Sequence, residues 1–153
     1  MMRFRPCRGC VVLWLVASLQ MASLSGCGRG GPDQPDTVKV SGKVTFNGEP
    51  LTTGQVAFVP ENPQSGRPAF GMIDTTGAYV MSTFEDGDGL IPGRYRISVN
   101  AVKEGDPDDF RTRGGTRILP NKYYDANKSE LTADVEESGS QTFDFELSGQ
   151  PGK

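Results

Sequence analysis

From Thr37 onward, apolar residues recur at every second position. Val38, Val40, Val44 and Phe46 alternate with polar neighbours. Successive side chains of a strand point to opposite sides, so this pattern predicts a strand with one face buried and the other in water. Gly42 falls on the same parity, where a bend or bulge is expected. Asn47-Gly48 then supplies a tight turn, because both residues tolerate positive φ. Val56 and Phe58 open a second strand that stops at Pro60, and Phe70, Met72 and Ile73 make a third. Asp74-Thr-Thr-Gly77 turns the chain into a fourth, carrying Tyr79 and Met81. The fifth is the clearest, with Tyr95, Ile97, Val99 and Ala101 all facing one way after the turn at Glu85–Gly89 and Pro92-Gly93. A long charged loop, Lys103–Asn121, leads to Leu131, Ala133 and Val135 in the sixth strand. Glu136–Ser140 then turns into Phe143, Phe145 and Leu147 in the seventh. Gly and Pro supply 31 of the 153 residues, which suits so many turns. Short strands at this spacing, with no helical period, predict an all-β fold: a seven-stranded antiparallel Greek-key sandwich, with a closed barrel as the alternative.

Charge and composition remove several function classes. The formal net charge is −3, but without Arg3, Arg5 and Arg8 the 16 basic residues fall to 13 against 19 acidic ones, a net −6. An acidic domain gains nothing from a phosphate backbone, so no nucleic-acid partner is expected. The chain contains no histidine. The usual general base near neutral pH and the commonest metal ligand are therefore missing, and no catalytic residue, enzyme activity or bound cofactor is expected.

The first residues read as an export address. Arg3, Arg5 and Arg8 precede the apolar run Val11-Val-Leu-Trp-Leu-Val-Ala-Ser-Leu19, which is shorter than the ~20 residues a membrane-spanning helix needs. The run ends in Leu24-Ser25-Gly26-Cys27. This resembles the lipobox of bacterial lipoproteins, where small residues before the cysteine let a signal peptidase bind the backbone closely. The resemblance implies a diacylglyceryl group on the Cys27 thiol, cleavage before Cys27, and acylation of the new amine, for instance with palmitate. Buried acyl carbons contribute ~0.8 kcal/mol each, so several chains hold a domain on a membrane essentially permanently. Gly28 after the cysteine, by resemblance to lipoprotein sorting, favours the outer membrane over the inner. Cys7-Arg-Gly-Cys10 has redox or zinc-site spacing but lies in the segment expected to be removed. The expected organisation is a signal peptide at 1–26, a lipid-anchored flexible tether at 27–36, the β-sandwich at 37–148 and a flexible tail at 149–153.

Within the sandwich, three segments resemble one family. Val40-Ser-Gly-Lys-Val-Thr-Phe-Asn-Gly-Glu-Pro-Leu51 followed by Gly54-Gln-Val56 is similar to the opening of carboxypeptidase regulatory-like domains. Asp74-Thr-Thr-Gly77-Ala-Tyr79 resembles their D-x-x-G-x-Y/F hairpin, and Ile91-Pro-Gly-Arg-Tyr-Arg-Ile97 their P-G-x-Y-x-V/I strand entry. The match, from about Val38 to Leu147, implies a prealbumin-like (transthyretin-like) sandwich serving as a structural or recognition part. Leu119-Pro-Asn-Lys-Tyr-Tyr124 also resembles a segment of small lipoproteins of this type. Transthyretin-related hydroxyisourate hydrolases share the sandwich but use histidines and a Tyr-Arg-Gly-Ser ending, both missing here.

Three clusters have chemistry to weigh. Glu85-Asp86-Gly-Asp88-Gly89 gathers three carboxylates, making Glu85, Asp86 and Asp88 a candidate weak calcium site, although the spacing is not that of an EF-hand. An acidic solvated turn is the simpler reading. Arg111, Arg113 and Arg117 would suit an anionic glycan or lipid headgroup, or merely offset Asp106, Asp108 and Asp109. Tyr123 and Tyr124 would stack on a sugar or pack the sandwich edge. Together these features predict a non-enzymatic, lipid-anchored cell-envelope module that contacts an envelope protein or glycan. The alternative is a carbohydrate- or calcium-binding surface domain.

Overall fold

The alternation that opens the domain is realised in strand β1 (Val40–Phe46), whose Val40, Gly42 and Val44 are buried while Lys43 is exposed. The computed structural model describes residues 34–64, 66–105, 108 and 115–152. The expected signal peptide, Leu24, Ser25, Gly26, Cys27, Cys7, Cys10, Arg111 and Arg113 lie outside the described residues.

β1 is the axis of one sheet. β2 (Glu49–Pro50) and β5 (Ala78–Val80) pair with it antiparallel. β10 (Gln141–Thr142) and β11 (Phe145–Leu147) pair with it parallel. The second sheet has the order β4 (Ala69–Met72), β3 (Gln55–Pro60), β6 (Gly93–Asn100), β9 (Thr132–Val135), antiparallel throughout. The apolar faces of the two sheets meet in one core, giving the all-β sandwich expected. Each of the seven expected strands has a counterpart. The expectation of purely antiparallel pairing is corrected, because the last strand enters beside β1 in the same direction. Among the described residues four two-residue strands also appear. Two of them, β7 (Val102–Lys103) and β8 (Thr116–Arg117), pair within the stretch expected to be a long loop. A 3-10 turn, Asn121–Tyr124, comes next.

Phe58 is the hub of the core. It is fully buried, with Tyr95 at 5.9 Å in its own sheet and Phe145 at 6.1 Å, Phe143 at 6.3 Å and Tyr79 at 6.5 Å from the facing one. These separations suit tilted and edge-to-face aromatic packing, which adds to the burial of apolar area. Tyr95 is buried with its hydroxyl donating to the Ile91 carbonyl at 2.6 Å. That bond is the physical content of the Pro-Gly-x-Tyr segment: the turn places an acceptor where the sinking ring needs one. No cysteine lies in the domain, so no disulfide holds it.

Two glycines mark close approaches. At Gly42 the sequence suggested a bend or bulge. Instead Gly42 sits in regular register opposite Tyr79, and Tyr79 reaches across it to donate its hydroxyl to the Phe143 carbonyl at 2.6 Å. A Cβ at Gly42 would lie 2.8 Å from the Tyr79 hydroxyl and overlap the Phe143 carbonyl. The Lys43 amide, which a regular parallel ladder would direct at that carbonyl, donates to Asp144 Oδ1 at 2.7 Å. The Asp144 side chain thus substitutes for a ladder acceptor and leaves the Phe143 carbonyl to the phenol. Burial, reinforced by the Asp144 charge, pushes the Tyr79 hydroxyl well above the usual phenol range. Gly71, in β4, would place a Cβ 2.8 Å from the Val80 carbonyl and 2.9 Å from Met81 Sδ.

Residues 149–152 carry hydrogen bonds back to the domain. Asn47 and Gly149 exchange two hydrogen bonds, at 3.1 and 3.2 Å, and the Gly152 amide donates to the Leu119 carbonyl at 3.0 Å.

Gly42→Ala should destabilise the domain by ~1–3 kcal/mol through overpacking. Tyr79→Phe should cost about the same, ~1–3 kcal/mol, by leaving a buried carbonyl without its donor. Urea unfolding of both variants measures this, and a midpoint equal to wild type in either would contradict the contact.

Candidate functional site

The third strand presents its two largest residues outward. Phe70, Met72 and Ile73 cannot all point the same way, since strand side chains alternate. The strand buries Ala69, Gly71 and Ile73 and turns Phe70 and Met72 outward, 48% and 69% exposed. The inner face has no room for a larger residue, because the Met81 sulfur and the Val80 carbonyl occupy the space beside Gly71. Val80, 55% exposed, points outward from β5. β4 and β5 belong to different sheets but meet through single bridges at Phe70–Ser82 and Ile73–Tyr79. This closes one side of the sandwich and brings three large apolar side chains onto a common outer surface.

A groove of about 330 Å³ opens there, lined by Met72, Ala78, Val80, Ser82, Asp74 and Asp86, with Tyr79 and Gly87 completing it. Both margins are built by carboxylates turned back on the chain. Asp74 Oδ1 accepts from the Thr76 hydroxyl and amide, each at 2.7 Å, and from the Ala78 amide at 3.1 Å. The Thr76 hydroxyl and amide bonds hold the Asp74 carboxyl below the usual carboxylate range, helped by the Ala78 amide and the nearby Lys43 charge. On the other margin, Asp88 Oδ1 accepts from the Thr83 amide at 2.7 Å, and Oδ2 from the Phe84 and Glu85 amides at 2.9 and 3.1 Å. The Thr83 hydroxyl adds a bond to the Gly89 carbonyl at 2.6 Å. Arg67 lies 5.5 Å over the Phe84 ring.

The three acidic residues of the turn are therefore placed differently. Asp88 is the loop's internal acceptor, Asp86 faces the groove, and Glu85 is exposed. A cation binding here would compete with three backbone amides for Asp88. Among the described residues, no three acidic or cysteine side chains converge as a metal site.

The basic and tyrosine clusters are occupied structurally where they are described. Arg117 lies 4.6 Å over the Tyr124 ring and donates to Asn121 Oδ1 at 3.3 Å. The Tyr124 hydroxyl donates to the Ala101 carbonyl. Tyr123 is buried, bonded to the Ser148 backbone at 3.2 and 3.3 Å, with Lys122 Nζ 4.8 Å from its ring. Ser129, the last residue of a glycosylation-like Asn127-Lys-Ser sequence, is buried with its hydroxyl donating to the Ile97 carbonyl. Among the described residues no helix is long and apolar enough to cross a membrane.

No family model matches the chain, and no curated protein matches it. Among solved structures it is similar to a DUF3823 family protein from Parabacteroides merdae ATCC 43184, at 16% identity with a TM-score of 0.43. That match covers 77% of this chain and 48% of the other. It is also similar to a 9R-lipoxygenase from Cyanothece PCC8801, at 15% identity with a TM-score of 0.34, over 80% of this chain and 18% of that one. The chain thus spans less than half the length of either neighbour.

Sequence reasoning about the site missed Phe70, Met72 and Val80. The signal was present: Ile73 has the parity of Ala69 and Gly71, so an inward Ile73 forces Phe70 and Met72 out.

Asp88→Ala should destabilise the domain by ~1–3 kcal/mol, because three amides lose their acceptor, whereas Asp86→Asn should leave the melting temperature unchanged. Calorimetry in chelator and in millimolar calcium checks both. A melting temperature raised by calcium and lost in either variant would instead favour calcium binding at the turn.

Proposed function

We propose that the chain is a non-enzymatic recognition module of the cell envelope, held on a membrane by lipid on Cys27. The observation that carries the recognition role is the outward placement of Met72 and Val80 in one groove, with Phe70 exposed on the same face of β4 beside it. Three large apolar side chains in water contribute nothing to the core, and a clustered exposed apolar patch is a common mark of an interaction surface. The anchor rests on Leu24-Ser25-Gly26-Cys27 following a basic and then an apolar segment, with the outer membrane favoured over the inner by Gly28.

Several facts support a role without chemistry. The chain has no histidine. Tyr79, Tyr95 and Asp88, which a catalytic site would draw on, are committed to backbone partners. The carboxypeptidase regulatory-like resemblance accords with this reading, since Gly42, Tyr79 and Tyr95 in its segments serve packing and hydrogen bonding. The carbohydrate alternative has less support, because Arg117 covers one Tyr124 face and Tyr123 is buried.

Intact mass of the protein from native membranes, wild type against Cys27→Ala, tests the anchor. The expected result is a chain beginning at residue 27 with added acyl mass, and no such mass in the variant. An unmodified chain retaining residues 1–26 would overturn the reading.

A further inference from the structure

We propose that the groove between β4 and β5 binds an extended, basic segment of a partner protein, one that alternates apolar side chains with lysine or arginine. This inference rests on the recognition role above and names its partner class.

The floor and walls of the groove are apolar where the two strands face outward, at Met72, Ala78 and Val80, and Phe70 extends the same surface along β4. Methionine is unbranched and polarizable, so Met72 can adjust to side chains of different shape. The charged residues that line it, Asp74 and Asp86, are of one sign. Asp86 is exposed, lines the groove, and among the described residues makes no hydrogen bond or ion pair. Asp74 lines the opposite end, its charge maintained by the Thr76 bonds and partly balanced by Lys43. Glu85, exposed, stands next to Asp86. An apolar slot between acidic ends complements a segment with an apolar residue flanked by cations, and disfavours anionic surfaces by like-charge repulsion. The exported part of the chain, at net −6, adds a long-range field that draws cations.

The surface is also preformed. Asp88 fixes the loop that carries Asp86, the Asp74 turn fixes the other end, and the bridges on either side of Met72 and Val80 fix the strands. A partner therefore orders only itself on binding, which lowers the entropic cost. The anionic leaflet of a membrane is the competing apolar surface, and the acidic margins oppose it.

The test uses the full protein as isolated from native membranes, in nanodiscs of zwitterionic lipid where it carries acyl chains and in buffer where it does not, with empty nanodiscs as blank. The probes are short fluorescent peptides alternating lysine with valine, leucine or phenylalanine, and matched peptides with glutamate for lysine. Anisotropy should show saturable binding of at least one lysine peptide. Affinity should fall about ten-fold or more in a Met72→Ser/Val80→Ser variant and fall in Asp86→Asn, with salt weakening it and no binding of glutamate peptides. Both variants alter exposed positions, so unchanged melting curves separate lost binding from lost folding. No binding of any lysine peptide, equal binding of the glutamate peptides, or unchanged affinity in the variants would overturn the proposal. So would preferential binding of the domain to anionic vesicles through Met72 and Val80. Failure of the anchor would show in the intact mass while leaving this binding in place, so the two failures are distinguishable.

Discussion

The Tyr79 hydroxyl on the Phe143 carbonyl is the contact on which the first sheet depends. β5 and β10–β11 lie on opposite edges of β1, and a side chain crossing β1 ties one edge to the other. Tyr79 does so because Gly42 has no Cβ to block it. The Phe143 carbonyl is available because Asp144 takes over the Lys43 amide. Each of the three residues would be ordinary alone. Together they satisfy a buried phenol, a carbonyl and an amide, and a buried group left unpaired costs ~1–3 kcal/mol. The same ring packs against Phe145 at 6.3 Å, so the polar bond also sets the aromatic core in place.

The outer surface is a consequence of the contacts fixed within. With Tyr79 inside, Val80 must point out. With Ile73 inside and Gly71 pressed against Met81, Phe70 and Met72 must point out as well. Three apolar side chains reach the surface because the alternation of two strands, each pinned by its inner residues, leaves them no other place. The acidic turn then acts as a brace: Asp88 commits its charge to backbone amides and holds Asp86 at the groove. A rigid scaffold with a small apolar slot is suited to recognition, since binding energy is not drained by ordering the receptor.

Much of the fold was legible in the sequence because alternation survives wherever one face is buried, as along Tyr95, Ile97, Val99 and Ala101. Tight turns were legible at Asn47-Gly48, where both residues take positive φ, 52° and 88°. The parallel entry of β10 and β11 was not. Parallel and antiparallel strands have the same side-chain period, so periodicity carries no direction. Gly42 suggested a bulge because a glycine's reason for being small can be a neighbour 101 positions away, as Phe143 is. The groove was hidden because Phe70, Met72 and Ile73, taken as one strand, do not by themselves say which face is buried. The role of Asp88 was hidden because an acidic run reads alike whether its carboxylates face water, a cation or their own backbone.

The groove stands on a frame already fixed in the free protein, by Asp144 on one side of β1 and Asp88 under the acidic turn. Native-state hydrogen exchange, residue by residue, measures this most directly. The amides of Lys43, Thr83, Phe84 and Glu85, though all bonded to side chains rather than to a ladder, are expected to exchange as slowly as those of β6. Exchange of these four at the rate of an open loop, while β6 stays protected, would mean that the groove is not preformed and would contradict the account.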